Sequence, residues 1–222
     1  MVPAMSTIER YAGSTVPMLA DRARRVLEKS GLIALPTESF YGLAACPFDE
    51  QALARLWRVK GRSEGKPILV LIGDASQLRP FVRSTPPAAA VLMNAFWPGP
   101  LTIVFPAAAG LSDSVTAGTG SIGIRLSAWH PLQDLLCRVG PTTGTSANRE
   151  GAAPPTTAEE VQHSLGDELD LIIDAGPTPG GLPSTVIDIQ GPIRIIRNGM
   201  IERAAIEAQL AACGLHLDEE SR

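Results

Sequence analysis

Cysteine and histidine are both scarce in this chain of 222 residues. Its three cysteines, Cys46, Cys137 and Cys213, are odd in number and far apart, and its three histidines are scattered elsewhere. Because structural zinc sites use closely spaced Cys and His ligands, we expect free thiols and no metal site held by the protein itself.

Long apolar runs are missing as well. Even the strongest run, residues 68–72, is closed by Pro67 and Gly73, far short of the about 20 residues that a membrane-spanning helix needs. Residues 1–11 lack the apolar stretch of a signal peptide. We therefore expect a soluble, cytoplasmic protein that does not contact a membrane.

The short motifs of familiar enzyme classes are also absent. The sequence contains no G-x-x-x-x-G-K-[ST] phosphate loop, no G-x-G-x-x-G between a strand and a helix, and no G-x-S-x-G elbow. A net charge of −4 argues against a surface that coats nucleic acid in general. With 45% hydrophobic and 19% charged residues, the composition is that of a globular protein with a real core.

Helical and strand-like segments alternate along the chain. A helix is predicted between Thr15 and Gly31, and another between an Asp49 cap and Gly61, while residues 32–35 and 121–126 have the pattern of strands. Residues 185–189 and 193–196 could pair as a hairpin. We predict a single α/β domain over residues 12–205, with a twisted mixed sheet flanked by helices. Residues 1–11 and 214–222 are predicted to be frayed.

Positive charge is concentrated between Arg55 and Lys66, although the total charge is negative. Lys60 lies in the last turn of the predicted helix, and Arg62 lies just beyond Gly61. One interpretation is a solvated helix surface whose cations complement the helix dipole. The other is that Lys60, which borders an apolar face, reaches into a cleft.

Residues 142–148 (TTGTSAN) are small and polar, with many hydroxyl groups. Such a segment can form an ordinary turn, or it can offer backbone N–H groups and hydroxyls to an anion or a nucleotide. Ser146 and Asn148 are the candidates here.

Polar residues also stand at the ends of predicted strands. Thr37 follows the first strand and Ser184 opens a later one, while Arg125 and Arg197 come late in apolar strands. Because a buried guanidinium is costly without an anion, each arginine needs a partner, either an acid such as Asp174 or Asp188 or a ligand.

Several of these strings, taken in order, resemble one known family. They are residues 35–43 (LPTESFYGL), 60–62 (KGR), 96–102 (FWPGPLT), 124–125 (IR), 146–148 (SAN), 184–186 (STV) and 197–199 (RNG). Together they closely resemble the YrdC-like family of L-threonylcarbamoyl-AMP synthases, over about residues 15–200, and the length resembles that of the short single-domain members.

The resemblance implies a fold and an activity. The fold would be the YrdC-like mixed sheet with a concave basic cleft. The activity would form threonylcarbamoyladenylate and pyrophosphate from L-threonine, bicarbonate and ATP. A separate tRNA-modifying transferase complex would then pass the threonylcarbamoyl group to the adenosine beside the anticodon. Mg²⁺ would arrive bound to ATP, and a weak contact with RNA is left open.

The resemblance also implies roles for individual residues. Lys60 and Arg62 would bind the triphosphate and stabilise charge during catalysis, and Ser121, Ser146, Asn148 and Arg197 would contact the nucleotide. Thr37, Arg125 and Ser184 would hold L-threonine, with Arg125 clamping its carboxylate. The threonine amine would capture carbon dioxide, and the carbamate oxygen would attack the α-phosphate.

Two other functions remain compatible with the sequence. One is a relative that handles carbamoyl adenylate, since similar domains occur inside larger carbamoyl-activating proteins. The other is an RNA-binding module that uses the basic segment between Arg55 and Lys66. The acidic total charge and the lack of an aromatic-rich sheet surface count against RNA recognition.

Overall fold

The structure, a computed structural model, describes residues 7–61 and 67–218. The helices are α1 Val16–Leu27, α2 Glu50–Lys60, α3 Pro87–Phe96, α4 Asp113–Thr116, α5 His130–Val139, α6 Ala158–Leu165 and α7 Arg203–Ala211. The strands are β1 Thr7–Arg10, β2 Ile33–Pro36, β3 Tyr41–Ala44, β4 Val70–Ile72, β5 Leu101–Pro106, β6 Ser121–Leu126, β7 Thr142–Thr143, β8 Thr145–Ser146, β9 Leu171–Asp174, β10 Thr185–Asp188 and β11 Arg194–Arg197. Within the described ranges, no helix is long and apolar enough to cross a membrane.

Local sequence signals set both ends of α2. The Asp49 carboxylate accepts hydrogen bonds from the backbone N–H groups of Gln51 and Ala52, at 2.9 and 3.1 Å. At the other end, Gly61 adopts a left-handed conformation with φ 63°, which a residue without a side chain does at little cost. These two signals place Lys60 in the last turn, as the sequence predicts.

The strands form two mixed sheets, where the sequence predicted one. The five-stranded sheet has the order β1-β9-β2-β3-β8, and the six-stranded sheet has the order β11-β10-β5-β6-β4-β7. The predicted α/β class and the predicted β10-β11 hairpin are confirmed. The sheet divides because β7 pairs with β4 of one sheet, whereas β8, one residue later, pairs with β3 of the other.

The two faces of the six-stranded sheet differ in chemistry. One face contributes apolar side chains to the larger core cluster, including Ile103, Phe105, Ile122, Ile124 and Ile187. Because side chains alternate along a strand, the intervening residues lie on the opposite face, among them Thr102, Ser121 and Arg125. The polar candidates on β5 and β6 therefore share one face of this sheet.

The expected fraying of residues 1–11 is wrong for Thr7–Arg10. These residues pair in parallel with Leu171–Asp174 and form the edge strand β1, so backbone hydrogen bonding fixes them to the sheet. Near the other end, Leu217 is 9% exposed and forms an isolated bridge with Ile193. Ordered packing therefore extends on both sides of residues 12–205.

Candidate functional site

A single cross-strand row on the six-stranded sheet links the two predicted arginines. Arg125 of β6 is in register with Leu71 of β4, and Arg197 of β11 is in register with Val186 of β10. Val186 is in register with Thr102 of β5, which the β5-β6 pairing places beside Arg125. Arg125 and Arg197 are therefore on the same level of the sheet, separated by the strands β5 and β10.

Arg125 forms an ion pair with Glu38, a residue that sequence reasoning did not single out. The Arg125 side chain is 6% exposed and the Glu38 side chain is 14% exposed. The Ser127 hydroxyl donates a hydrogen bond to the other oxygen of this carboxylate. The expected acid partner of Arg125 therefore exists, but it comes from the loop after β2 and not from Asp174 or Asp188.

Arg197 is held by Ser184. Its Nε and one terminal nitrogen donate to the Ser184 carbonyl oxygen at 3.2 and 3.0 Å, and the same terminal nitrogen lies 3.1 Å from the Ser184 hydroxyl. Burial of the guanidinium and the nearby positive charge of Arg125 lower the pKa of Arg197 from its ordinary value. Among the described residues, no carboxylate forms an ion pair with Arg197. The two guanidinium groups therefore share one electrostatic environment.

Lys60 is buried at the end of α2, with 4% of its surface exposed. Its ammonium donates hydrogen bonds to the carbonyl oxygens of Ser146 and Asn148, at 2.8 and 2.6 Å. It also lies 3.4 Å from both the Ser146 hydroxyl and the Asn148 side-chain oxygen. The interpretation of Lys60 as part of a solvated helix surface is therefore wrong.

Residues 142–148 form the junction between the two sheets and not an isolated turn. Thr143 is completely buried, and its hydroxyl accepts from the Ala45 N–H at 2.9 Å. A Cβ on Gly144 would lie 2.5 Å from the Leu71 side chain, so only glycine fits between the sheets at this point. Strand β4 lies beside β6, the strand that carries Arg125. The junction begins at β7, on the other side of β4, and leads to the carbonyl groups that bind Lys60.

Thr37 and Ser121 lie near these groups, but their hydroxyls have local partners. The Thr37 hydroxyl donates to the Phe40 carbonyl oxygen at 2.8 Å, which closes the turn that presents Glu38. The Ser121 hydroxyl lies 2.6 Å from that of Thr119. Ser121 shares a face of β6 with Arg125, but the two residues are four positions apart, or about 13 Å along a strand. The other predicted residue, Arg62, lies outside the described residues.

The loop of residues 176–183, which leads into Ser184, is fixed against the Thr37 turn. The Tyr41 hydroxyl donates to the Gly176 carbonyl oxygen at 2.8 Å, and the Gly180 N–H donates to the Ser39 carbonyl oxygen at 2.7 Å. Burial, together with the negative charge of Asp174, raises the pKa of Tyr41 to about 12, so its hydroxyl remains a donor at neutral pH. This anchoring brings the turn and the Ser184 segment together.

Sequence reasoning missed three members of this arrangement, which are Glu38, Thr102 and Ser127. The Thr102 hydroxyl lies 2.9 Å from that of Ser184, so it supports the segment that binds Arg197. Glu38 and Thr102 were within strings that carry the family resemblance, and this was the available signal. Ser127 lay in no such string. Among the described residues, no three or more His, Cys, Asp or Glu side chains are grouped to hold a metal ion.

Comparison with curated proteins gives relatives of one named activity. Threonylcarbamoyl-AMP synthase of Bacillus subtilis is 37% identical over 207 residues, which cover 91% of this chain. The match spans 59% of the length of that relative.

Solved structures agree with this likeness. Sua5 of Pyrococcus abyssi, in a crystal structure complexed with L-threonine, has a TM-score of 0.84 and 30% identity, and the match covers 96% of this chain and 62% of that one. Escherichia coli YciO has a TM-score of 0.80 and 25% identity, with 91% and 100% coverage. A family model for Sua5, YciO and YrdC proteins, described as "Telomere recombination", matches residues 25–199. The chain therefore belongs to the Sua5/YciO/YrdC family.

Proposed function

We propose that this chain is an L-threonylcarbamoyladenylate synthase, which forms threonylcarbamoyl-AMP and pyrophosphate from L-threonine, bicarbonate and ATP. The names of its relatives and the L-threonine complex of Pyrococcus abyssi Sua5 support this reaction. The product would pass to a tRNA-modifying transferase complex for transfer to the adenosine beside the anticodon.

The arrangement of positive charge carries the proposal. Lys60 lies at the sheet junction, and Arg125 and Arg197 lie on one level of the adjoining sheet. Thr142 of the junction pairs with Leu71, which in turn pairs with Arg125, so two strand spacings, or about 10 Å, separate the backbones of Thr142 and Arg125. The segment that leads to the Lys60 contacts therefore starts close to Arg125, as a site for a triphosphate beside a small amino acid would require.

Each group then has a distinct role. Lys60 and Arg62 would bind the phosphates and stabilise the charge that develops on them, with Ser121, Ser146, Asn148 and Arg197 contacting the nucleotide. Arg125 would pair with the threonine carboxylate, and Thr37 and Ser184 would complete the amino-acid site. ATP would bring Mg²⁺, which neutralises phosphate charge, so the protein itself would supply position and hydrogen-bond donors.

The reaction proceeds in two bond-forming steps. The deprotonated threonine amine attacks carbon dioxide derived from bicarbonate, an N–C bond forms, and the nitrogen loses a proton to give a carbamate. A carbamate oxygen then attacks the α-phosphorus, and the bond from that phosphorus to the bridging oxygen breaks as pyrophosphate leaves. No nucleophilic side chain is required, so the positively charged groups perform the main catalytic work.

The test is pyrophosphate release by the purified chain from ATP. Bicarbonate would be included or omitted, and each amino acid would be supplied in turn. The proposal requires release that depends on both L-threonine and bicarbonate. Release without bicarbonate, or with every amino acid equally, contradicts it. Salt-sensitive RNA binding without ATP turnover would instead support an RNA-binding module.

Replacement of Lys60 tests its role at the phosphates. Lys60→Met keeps the apolar stem and removes the ammonium, so we expect kcat to fall by roughly 100-fold with little change in threonine affinity. Lys29→Met, at an exposed lysine on the turn after α1, is the matched control and should retain wild-type rates. A wild-type rate in folded Lys60→Met would exclude the proposed role.

A further inference from the structure

Glu38 contacts residues of the candidate site, but none of the roles proposed above is assigned to it. It follows β2 of the five-stranded sheet, yet its carboxylate forms an ion pair with Arg125 in the middle of the six-stranded sheet. A guanidinium that is 6% exposed would be strongly destabilising without such a partner. The contact therefore fixes Arg125 across the space between the sheets.

The Glu38 carboxylate is itself held from the other side. The Ser127 hydroxyl donates to Glu38 Oε2, and the Trp129 N–H donates to the Ser127 hydroxyl oxygen at 3.2 Å. Ser127 is completely buried. Each carboxylate oxygen therefore has a partner. Arg125 contacts one, and the other accepts a hydrogen bond from Ser127, which the Trp129 N–H holds in place.

Arg125 still has unused donors. Within the parts of the chain that the structure describes, its buried Nε makes no hydrogen bond, and Nη2, which carries two N–H groups, has only the ion pair with Glu38 Oε1. Native proteins rarely leave a buried donor without an acceptor. The Nε N–H and the remaining N–H of Nη2 fit a bidentate pair with a second carboxylate.

The sum of the charges on these side chains also favours an anionic ligand. Arg125 and Arg197 contribute two positive charges in one environment, and Glu38 contributes the negative charge that pairs with Arg125. One positive charge is left in this environment, which favours the binding of an anionic group.

We infer that Glu38 is a positioning residue, which orients the Arg125 guanidinium so that its free N–H groups receive the carboxylate of the amino-acid substrate. This inference rests on the proposed function. Glu38 acts through Arg125 and need not touch the substrate, and Ser127 secures Glu38.

The test compares the KM values for L-threonine and for ATP in Glu38→Gln. The amide keeps the size of the side chain and an acceptor for Ser127, but it removes the charge that holds Arg125. We expect the KM for L-threonine to rise about 10- to 100-fold, the range typical when a residue that orients a metal ligand is lost, while the KM for ATP stays within about twofold. Glu28→Gln makes the same change at an exposed residue and should behave as wild type.

Two further measurements separate positioning from simple structural support. Glu38→Asp, which retains the charge, should recover part of the threonine affinity, and Ser127→Ala should raise the threonine KM less than Glu38→Gln does. L-threoninamide, which lacks the carboxylate, should be a much poorer substrate than L-threonine for the wild type. This difference should shrink in Glu38→Gln.

The possible failures are distinguishable. If the wild type shows no threonine-dependent pyrophosphate release, the proposed function fails. If the wild type is active and Glu38→Gln leaves the threonine KM unchanged, or changes both KM values equally with a lower melting temperature, the positioning role is wrong. A lower threonine KM would mean that Glu38 competes with substrate for Arg125, which also overturns the inference. If Glu38→Gln does not fold, an unchanged threonine KM in Ser127→Ala decides against it.

Discussion

Gly199 lies at one of the closest backbone approaches in the candidate site. A Cβ at this position would lie 2.5 Å from the Ser184 carbonyl carbon and closer still to the Pro183 oxygen. Since Ser184 binds Arg197 through its carbonyl oxygen, the glycine permits the contact that orients Arg197.

Gly199→Ala should therefore lower both stability and nucleotide binding. We expect the free energy of unfolding to fall by about 1–3 kcal/mol, the usual cost of overpacking, because backbone atoms must move. Chemical denaturation measures this change, and ATP titration should show weaker binding. Gly191→Ala is the control, because no atom lies within 4 Å of a Cβ there. Equal losses in the two variants would show that the close approach is unimportant.

Predictions about single residues succeeded where the chemistry of a side chain restricts the surroundings in which it can be buried. The cost of burying a guanidinium correctly indicated that Arg125 needs an acid. The identity of that acid did not follow, because Glu38 lies 87 positions earlier in the chain and belongs to the other sheet. Only the packing of the two sheets brings the pair together.

At the scale of elements, α2 carries Lys60 to the sheet junction, and its Asp49 cap fixes where the helix begins. Burial tends to raise the pKa of Asp49. Hydrogen bonds from Ser30 and from the Ala52 and Gln51 N–H groups outweigh that effect, so the pKa is lowered from its ordinary value of 3.8. The folded state thus binds the proton less tightly than the unfolded chain.

Asp49→Ala should reduce the free energy of unfolding by about 1 kcal/mol at neutral pH. A lowered carboxyl pKa contributes stability that is complete above the ordinary value and is lost as the pH falls through the folded-state value. The difference between wild type and Asp49→Ala should therefore shrink below pH 3.8, measured by urea denaturation across pH. Asp49→Asn, which still caps, should lie close to wild type at neutral pH. A difference that is independent of pH would contradict this account.

The helices were more predictable than the short strands. The helices predicted between Thr15 and Gly31 and between the Asp49 cap and Gly61 correspond closely to α1 and α2. The strands β7 and β8 have two residues each, which is too short for any alternation of polar and apolar side chains to be visible. Their pairing depends on β3 and β4, which are distant in sequence.

At the scale of the whole molecule, the junction at residues 142–148 joins the two sheets. Thr142 and Thr143 are neighbours and both are buried, but their hydroxyls differ. That of Thr143 bonds the Ala45 N–H, whereas that of Thr142 has no partner within the described residues. The pair provides an internal comparison.

Thr143→Val should cost about 1–3 kcal/mol of stability, because it leaves the buried Ala45 N–H without its side-chain acceptor. It should also weaken ATP binding, since the junction supplies the carbonyl oxygens that hold Lys60. Thr142→Val should be neutral or stabilising, because it removes a hydroxyl that loses its contact with water on folding and forms no hydrogen bond with the described residues in exchange. Thermal unfolding of both variants checks this, and a destabilised Thr142→Val with an unaffected Thr143→Val would refute it.

The α/β class could be predicted from the sequence, but the division into two sheets could not. Alternating helical and strand patterns indicate a layered α/β domain from local signals alone. The residues on either side of Gly144 pair with different sheets, β7 with β4 and β8 with β3, and both partner strands are distant in sequence.

The central claim is that one site joins bicarbonate, L-threonine and ATP. The most direct measurement is mass spectrometry of the nucleotide product formed from carbon-13 bicarbonate. A threonylcarbamoyl-AMP synthase should give an adenylate that contains one threonine and one labelled carbon, heavier than the unlabelled product by the mass difference between the two carbon isotopes. A threonyl adenylate without the label, or ADP as the only nucleotide product, would contradict it.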